Sequence, residues 1–537
     1  MILVTLLLSA CAMEDRPTRD RHGPHVALSP ADARSGVHDL VCSSADAVNP
    51  TFRWTHDGIL AGQTDRISAT DTREGGAWAC EITDGDRVGR AEVTLRPAGG
   101  NLLVILADDL GRERLSSEGV GPPPFAVTPN LDALAARSVR FTNAWAFPVC
   151  SPTRAALMTG RLPRQYGVGI IIDTGDGWAL PDDEAFLPEI LGAAALPMTS
   201  ALVGKWHLNA RDVGSAEGQP GVAGFSSWRT TNGNLTSSFE SLDGIGGYRN
   251  WEANVDGILS PVDAYATAVV VDDAVDALAT LEPPWFLYVA LHAMHEPWHT
   301  PAAAWRYTEP SKAPDLLEQS GLMLESLDVA VGQVLDAMTA EQVAETTIVF
   351  LGDNGTMFTV ATEPFDATHS KGTVYQGGVN VPFWVSGPLI GRAGATSEAL
   401  VHASDVFDTG LALAGIAAEQ ADGLVDRPAA VRFSESVLPL VADPDRPSLH
   451  PFAFTEKFEP NGPPPYASHH VAVRDSRFKL LYRSGESGEA TELYDLLADP
   501  FEASNLLGRP HDGDAEDAKE RLQAALAGFD AEFTFDY

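Results

Sequence analysis

Residues 101–111 read NLLVILADDLG, an apolar run that stops abruptly at two adjacent aspartates, Asp108 and Asp109. A short run that is apolar on both faces suits a strand buried inside a parallel sheet. Three later stretches repeat the design. SALVGKWHL (200–208) carries Lys205 and His207 at its end, PWFLYVALHAMH (284–295) carries His292 and His295, and TTIVFLGDNG (346–355) carries Asp353 and Asn354. Helical patterns at 129–138, 152–160, 263–281 and 315–338 lie between them. Strand and helix alternating in this way predict an α/β domain built on a mostly parallel sheet flanked by helices. Ligands of such sheets bind beyond the carboxyl ends of the strands. Taken singly, each polar ending is an ordinary solvated strand end, but four of them together converge on one site.

The donor types narrow the chemistry. Asp108, Asp109, Asp353 and Asn354 offer only oxygen, which suits a hard divalent cation such as Ca²⁺ or Mg²⁺ and suits zinc less well. Lys205, His207, His295 and Lys371, the last in HSKGTVYQGG (369–378), add cations and proton carriers. A divalent metal ringed by lysines, histidines and an arginine describes a receptor for a compact oxyanion such as sulfate or phosphate.

The arginine comes from FPVCSPTRAALMTG, residues 147–160. Ser151 as N-cap and Pro152 as first helical residue predict a helix start there. Cys150 then sits at a helix N-terminus, whose free N–H groups favour an anion, with Arg154 about one turn on. Spacing alone suggests an activated thiolate nucleophile. A thiolate beside an oxyanion and metal site is, however, a poor design for an esterase or protease.

PVCSPTRAALMTG resembles the signature of the formylglycine-dependent (type I, arylsulfatase-like) sulfatases, C-x-P-x-R followed by an apolar pair and T-G. LADDLG, VGKWHL, HAMHEPWHTP, LGDNG and KGTVYQGGVNVP are similar to that family's other blocks in order and spacing, and RFKLLY…TELYDLLADPFEASNL to its C-terminal domain. The likeness covers residues 100 to 510. It implies the alkaline-phosphatase-like fold and a cysteine, Cys150, oxidised by a formylglycine-generating maturation enzyme to Cα-formylglycine. It further implies that Asp108, Asp109, Asp353 and Asn354 bind calcium (ahead of magnesium) and that a hydroxyl of the hydrated aldehyde attacks sulfur. Arg154 and Lys205 then hold that residue, His295 and Lys371 bind sulfate and assist the leaving alcohol, and His207 removes the proton that lets sulfate depart. His292, Trp298 and His299 are read as pocket-lining residues, with loop packing an equal alternative for Trp298 and His299. Three places depart from the pattern: Pro197 to Ser200 replaces G-Y-x-T, Asn209 stands where Gly is common, and Gln376 and Asn380 replace an acid and an arginine.

The rest of the chain frames this domain. With 537 residues, two to four domains are expected. The net charge of −38 argues against a nucleic-acid partner, since phosphate binding is driven by Lys and Arg. Residues 1–11, MILVTLLLSAC, are too short to span a bilayer and read as a lipoprotein signal whose lipobox ends at Cys11, the expected lipidation site. They predict export and lipid anchoring at a bacterial envelope, with membrane contact through the lipid alone. A linker at 12–25 leads to a β-sandwich at 26–97, where Cys42, Trp54 and Cys80 fit the immunoglobulin-like Cys–Trp–Cys pattern and predict a Cys42–Cys80 disulfide. The catalytic domain is assigned to 98–444 and a smaller α+β subdomain to 445–537. The expected activity is hydrolysis of an external sulfate ester on a small molecule or glycan. The alternatives are a phosphodiesterase or phosphonate monoester hydrolase on the same scaffold, and a binding protein with a vestigial catalytic domain.

Overall fold

The computed structural model describes residues 26–29, 39–45, 47, 49–56, 59–67, 76–84, 87–95, 99–122, 125–172, 177–210, 216–235, 247–427, 429–486, 488–508 and 513–535. Cys11 and the linker at 12–25 lie outside the described residues. The chain divides into two units, Met1–Arg96 and Pro97–Tyr537.

Among the described residues of the first unit, seven short strands form two sheets. They are β1 (Ala27–Ser29), β2 (Leu40–Ser43), β3 (Thr51–His56), β4 (Ile59–Gly62), β5 (Arg66–Ile67), β6 (Gly76–Asp84) and β7 (Arg87–Leu95), ordered β1-β2-β5 and β4-β3-β6-β7. Alternate residues turn inward, as the two-residue period of a strand requires. Leu40, Cys42 and Ile67 of one sheet and Trp54, Trp78, Cys80, Ile82 and Val93 of the other share a single buried cluster. The Cys42–Cys80 disulfide joins the two sheets, as the sequence predicts. Trp54 lies opposite Cys80 in the β3–β6 register, and Trp78 stacks on His56 with ring centroids 4.5 Å apart.

The second unit is organised by a ten-stranded sheet. Its members are β8 (Asn101–Ala107), β9 (Val139–Trp145), β10 (Thr199–Lys205), β11 (Ser227–Thr231), β12 (Trp251–Val255), β13 (Ile258–Val262), β14 (Trp285–Ala290), β15 (Thr346–Gly352), β16 (Phe383–Ser386) and β17 (Thr396–His402). The order is β13-β12-β11-β10-β14-β8-β15-β16-β9-β17. The five strands from β11 to β15 in that order run parallel, whereas β12, β13 and β16 pair antiparallel. The sheet is therefore mixed, with five parallel strands at its centre and a further parallel pair, β9 and β17, at one edge. The apolar-run signal finds only strands covered on both faces, and β13, whose residues are half-buried or exposed, carries none. Helices Ala266–Thr280 and Leu316–Asp336 cover one face, their Val270, Leu278, Leu324, Leu327 and Val331 packing with Leu103, Ile105, Val203 and Leu287. Burying each such aliphatic side chain contributes about 2 kcal/mol.

A four-stranded antiparallel sheet follows, β18 (Ala453–Glu459), β19 (Ser468–Arg474), β20 (Phe478–Ser484) and β21 (Ala490–Asp495), in sequential order. Its two faces are both used. Leu480 and Val473 pack under helix Gly513–Glu532 through Ala518 and Leu522, while Ala453, Ala472 and Leu481 pack on Trp145, Val374 and Tyr375. The second contact brings this sheet against the segment that carries Lys371.

Candidate active site

Cys150 stands 0% exposed at the start of helix Cys150–Thr159, just past the carboxyl end of β9. The helix begins two residues earlier than Pro152, with Val149 as its cap residue. Ser151 does not cap it. Its hydroxyl accepts instead from Ile172 N at 3.0 Å, and Pro152 is tolerated because first-turn N–H groups have no helical partner. Gly160, at φ +69°, ends the helix in the left-handed conformation that glycine allows.

The four strand endings do meet. Arg154 donates through Nε (3.0 Å) and Nη2 (2.7 Å) to Asp353 Oδ2, and through Nη1 to the Lys205 carbonyl at 2.9 Å. Lys205 Nζ donates to Asp108 Oδ2, and Lys371 Nζ to Asp109 Oδ1. Asn354 Nδ2 donates to Asp109 Oδ1 at 2.9 Å, and Asp109 N to Asp353 Oδ1 at 3.2 Å. Each buried acid thus has a cation of its own, which is what makes ionised carboxylates tolerable inside a protein. Burial opposes ionisation of Asp108, but Lys205, His295 and Arg154 hold its carboxyl well below the usual range. Asp353, by contrast, is pushed up to about 7 by burial and by the charge of Asp108.

Two oxygens in this cluster, Asp108 Oδ1 and Asn354 Oδ1, are buried without a hydrogen-bond partner. An orphaned buried acceptor costs roughly 1–3 kcal/mol, so the arrangement is incomplete as it stands. Donor atoms of Asp108, Asp109 and His295 lie within 4.8 Å of one another, as do those of Asp108, Cys150 and Asp353. The residues present therefore fit a divalent cation held mainly by oxygen.

His207 faces Cys150, with Nδ1 3.4 Å from Sγ, while its Nε2 lies 3.1 Å from the Ile172 carbonyl oxygen. A carbonyl can only accept, so Nε2 carries the proton and Nδ1 presents its lone pair to residue 150. Burial together with Lys205 and Arg154 pushes His207 well below the usual range, which keeps the ring neutral. Burial also pushes the Cys150 thiol up. The thiolate suggested by the helix N-terminus is thus disfavoured where Cys150 sits. Asp109 and His207 are non-glycine residues at φ +60° and +62°, a conformation found disproportionately at functional sites. Gly204, φ +95°, is required for β10 to approach β14, since a Cβ there would sit 2.0 Å from the Ala290 oxygen.

His292 and His295 follow β14. The His292 ring is set by Thr231 Oγ1 at 2.8 Å, and burial with the Lys205 charge pushes it down to about 3. His295 Nδ1 donates to Glu296 O at 2.7 Å. Tyr248 OH, with a single proton to share, lies 2.7 Å from the His292 carbonyl oxygen and 2.9 Å from that of His295, a clamp no sequence signal revealed. Trp298 and His299 lie further along the same loop. His299 packs between Tyr248 and Tyr265, and half-buried Trp298 leans on the main core with its Nε1 lacking a partner.

A helix-flanked α/β sheet that gathers three acids, an asparagine, two lysines, an arginine and two histidines around a buried cysteine has the donors and cations that suit the class of metal-assisted oxyanion hydrolases. Known proteins make the class specific. A family model described as Sulfatase matches residues 100–416, and one described as N-sulphoglucosamine sulphohydrolase, C-terminal, matches 367–529. The chain belongs to the sulfatase family. Human arylsulfatase A is 30% identical over 488 residues, covering 81% of this chain and 89% of that protein. Human N-acetylgalactosamine-6-sulfatase is 32% identical over 353 residues, 60% of this chain, and the match spans 63% of that relative's length. Among solved structures, Ps i-CgsB superposes with a TM-score of 0.66 at 23% identity, covering 81% of this chain and 94% of that one, which bears on the fold.

Proposed function

We propose that this protein hydrolyses a sulfate ester of a sulfated carbohydrate, with Cys150 matured to formylglycine and a calcium ion held by Asp108, Asp109, Asp353 and Asn354. The observation that carries the reading is the pair of orphaned oxygens, Asp108 Oδ1 and Asn354 Oδ1, within a cluster whose other partners are lysine, arginine and histidine. When present, the matured residue supplies a hydrated-aldehyde nucleophile, and the cation polarises a sulfate oxygen.

The chain's own residues prepare the rest. Arg154 ties Asp353 to the Lys205 carbonyl, which holds the acid in register with residue 150. His207 offers an unprotonated Nδ1 at residue 150 and is suited to take a proton there. Lys371 and His295, 9–10% exposed at the outer side of the cluster, are placed to meet the sulfate and the departing alcohol. The 0–1% exposure of the inner groups excludes bulk water, which strengthens each charge interaction.

Sulfatase names on the relatives favour sulfate over phosphate diester, and human N-acetylgalactosamine-6-sulfatase and the BT4656 structure in complex with D-glucosamine-2-N,6-O-disulfate favour a sugar. Export with lipidation at Cys11 belongs to the same proposal. Its supports are the apolar N-terminal run and the Cys42–Cys80 bond, which an oxidising compartment permits. Rates on an aryl sulfate and an aryl phosphate diester test the reaction, alongside mass spectrometry of the tryptic peptide bearing Cys150. A diester rate well above the sulfate rate overturns the reading. Unmodified cysteine in a host with the maturation machinery favours a vestigial domain.

A further inference from the structure

Three basic side chains line up across the C-terminal sheet. In the β18–β19 register Lys457 lies directly opposite His470, and in the β19–β20 register His470 lies directly opposite Arg483. Directly opposed residues share a face, so the three form one continuous row. The same face, further along each strand, packs on the catalytic domain through Ala453, Ala472 and Leu481. The row therefore runs off the edge of that contact, and its first member reaches the active site. Lys457 Nζ donates to the Gly372 carbonyl at 3.2 Å, one residue beyond Lys371, and Gly372 N donates to Pro148 O, two residues before Cys150.

The imidazole of His470 stands between the two cations, Lys457 and Arg483, one on each neighbouring strand. Arg483 pairs with Glu492, but its Nε is buried without a partner, and the Glu492 carboxylate also accepts from the hydroxyls of Tyr375 and Tyr494. Glu459 is the acid acting on Lys457. Burial, then Lys457 and Arg483, pushes His470 down to about 4. All three residues are part-exposed, so the row is open to a ligand. In a chain of net charge −38, Lys457 and Arg483 with a neutral imidazole between them set two cations and a hydrogen-bonding ring beside the segment that carries Lys371.

We propose that Lys457, His470 and Arg483 form a second anion subsite, which takes a carboxylate or sulfate on the sugar unit next to the ester being cleaved. This rests on the sulfate-ester reading and extends it to a polyanionic glycan. Glycans with one charge per cleaved unit and a neutral neighbour leave the row unused. Those with an acidic neighbour fill it and restore the balance of charge.

The test uses the matured full-length protein and hydrolysis of 4-nitrophenyl sulfate, inhibited by three tetrasaccharides: hyaluronan (carboxylate only), a sulfated galactan (sulfate only) and a neutral galactan. Lys457→Ala and Arg483→Gln should each weaken inhibition by an anionic tetrasaccharide about tenfold relative to the aryl sulfate KM, Lys457→Arg should restore it, and added salt should erode it. Which of the two anionic sugars responds identifies the group bound. Inhibition constants that do not move in either variant overturn the subsite, as does failure of both anionic sugars to inhibit the unsubstituted enzyme. If the unsubstituted enzyme does not turn over 4-nitrophenyl sulfate, the sulfatase reading fails on its own. The subsite is then judged by calorimetric titration of the same sugars into the unsubstituted protein and the two variants.

Discussion

Glu456, on β18, is wholly buried and accepts from Arg164 N (3.0 Å), Arg164 Nε (2.9 Å) and His469 Nε2 (3.1 Å). Arg164 belongs to the short helix Pro163–Tyr166 directly after the Cys150 helix, so this carboxylate ties the C-terminal sheet to the segment that carries Cys150. Burial alone would raise its pKa, but Arg164 and His469 hold it down to about 2 against an ordinary 4.5. A group with a depressed folded pKa contributes stability above its unfolded pKa and loses it as pH falls through the folded one. The shift of about 2.5 units is worth about 3.4 kcal/mol at neutral pH, of which about 2 kcal/mol is gone by pH 3. Glu456→Gln removes the titration while keeping the shape. Urea unfolding of both proteins at pH 6 and pH 3 should therefore show a stability gap that narrows by about 2 kcal/mol at the lower pH. A gap of the same size at both pH values would refute the reasoning.

Other expectations bear on the site and on the first unit. Arg154→Lys offers one ammonium where three guanidinium bonds stood, and should cost about 3–5 kcal/mol in thermal or urea unfolding and at least about 100-fold in kcat/KM on an aryl sulfate. Calcium at 100 times its Kd should stabilise the chelator-stripped protein by about 2.7 kcal/mol in a thermal-shift assay, and Asp353→Asn should abolish most of that gain. The Cys42–Cys80 bond closes a loop of 38 residues, so the double serine variant should lose about 4 kcal/mol in the first unit, read as faster proteolysis of residues 26–97 at moderate urea.

What the sequence disclosed about the site came from strands buried on both faces. Asp108, Lys205, His295 and Asp353 are legible because an apolar run announces where a central strand ends, and the sheet then gathers those ends whatever lies between them. Tyr248 and Thr231 escaped for the opposite reason. Neither closes an apolar run of that kind, and each acts on a histidine 44 to 61 residues away in the chain. The helix start was misjudged because Ser151 spends its hydroxyl on Ile172 N, a tertiary contact that competes with capping and leaves no mark in the local pattern. The row on the C-terminal sheet is also invisible in one dimension. Lys457, His470 and Arg483 are thirteen residues apart at each step, and only the strand register brings them into line.

The complete burial of Cys150 sets an order of events. A side chain with no exposed surface, on a helix whose residues are all buried, offers nothing for a protein-sized catalyst to grip. The maturation of Cys150 proposed above would then have to act while residues 147–160 are still an extended peptide, before the helix docks. On that proposal, folding is the deadline for maturation. A molecule that folds first is locked with its thiol for the lifetime of its native state, and its only route back is to unfold.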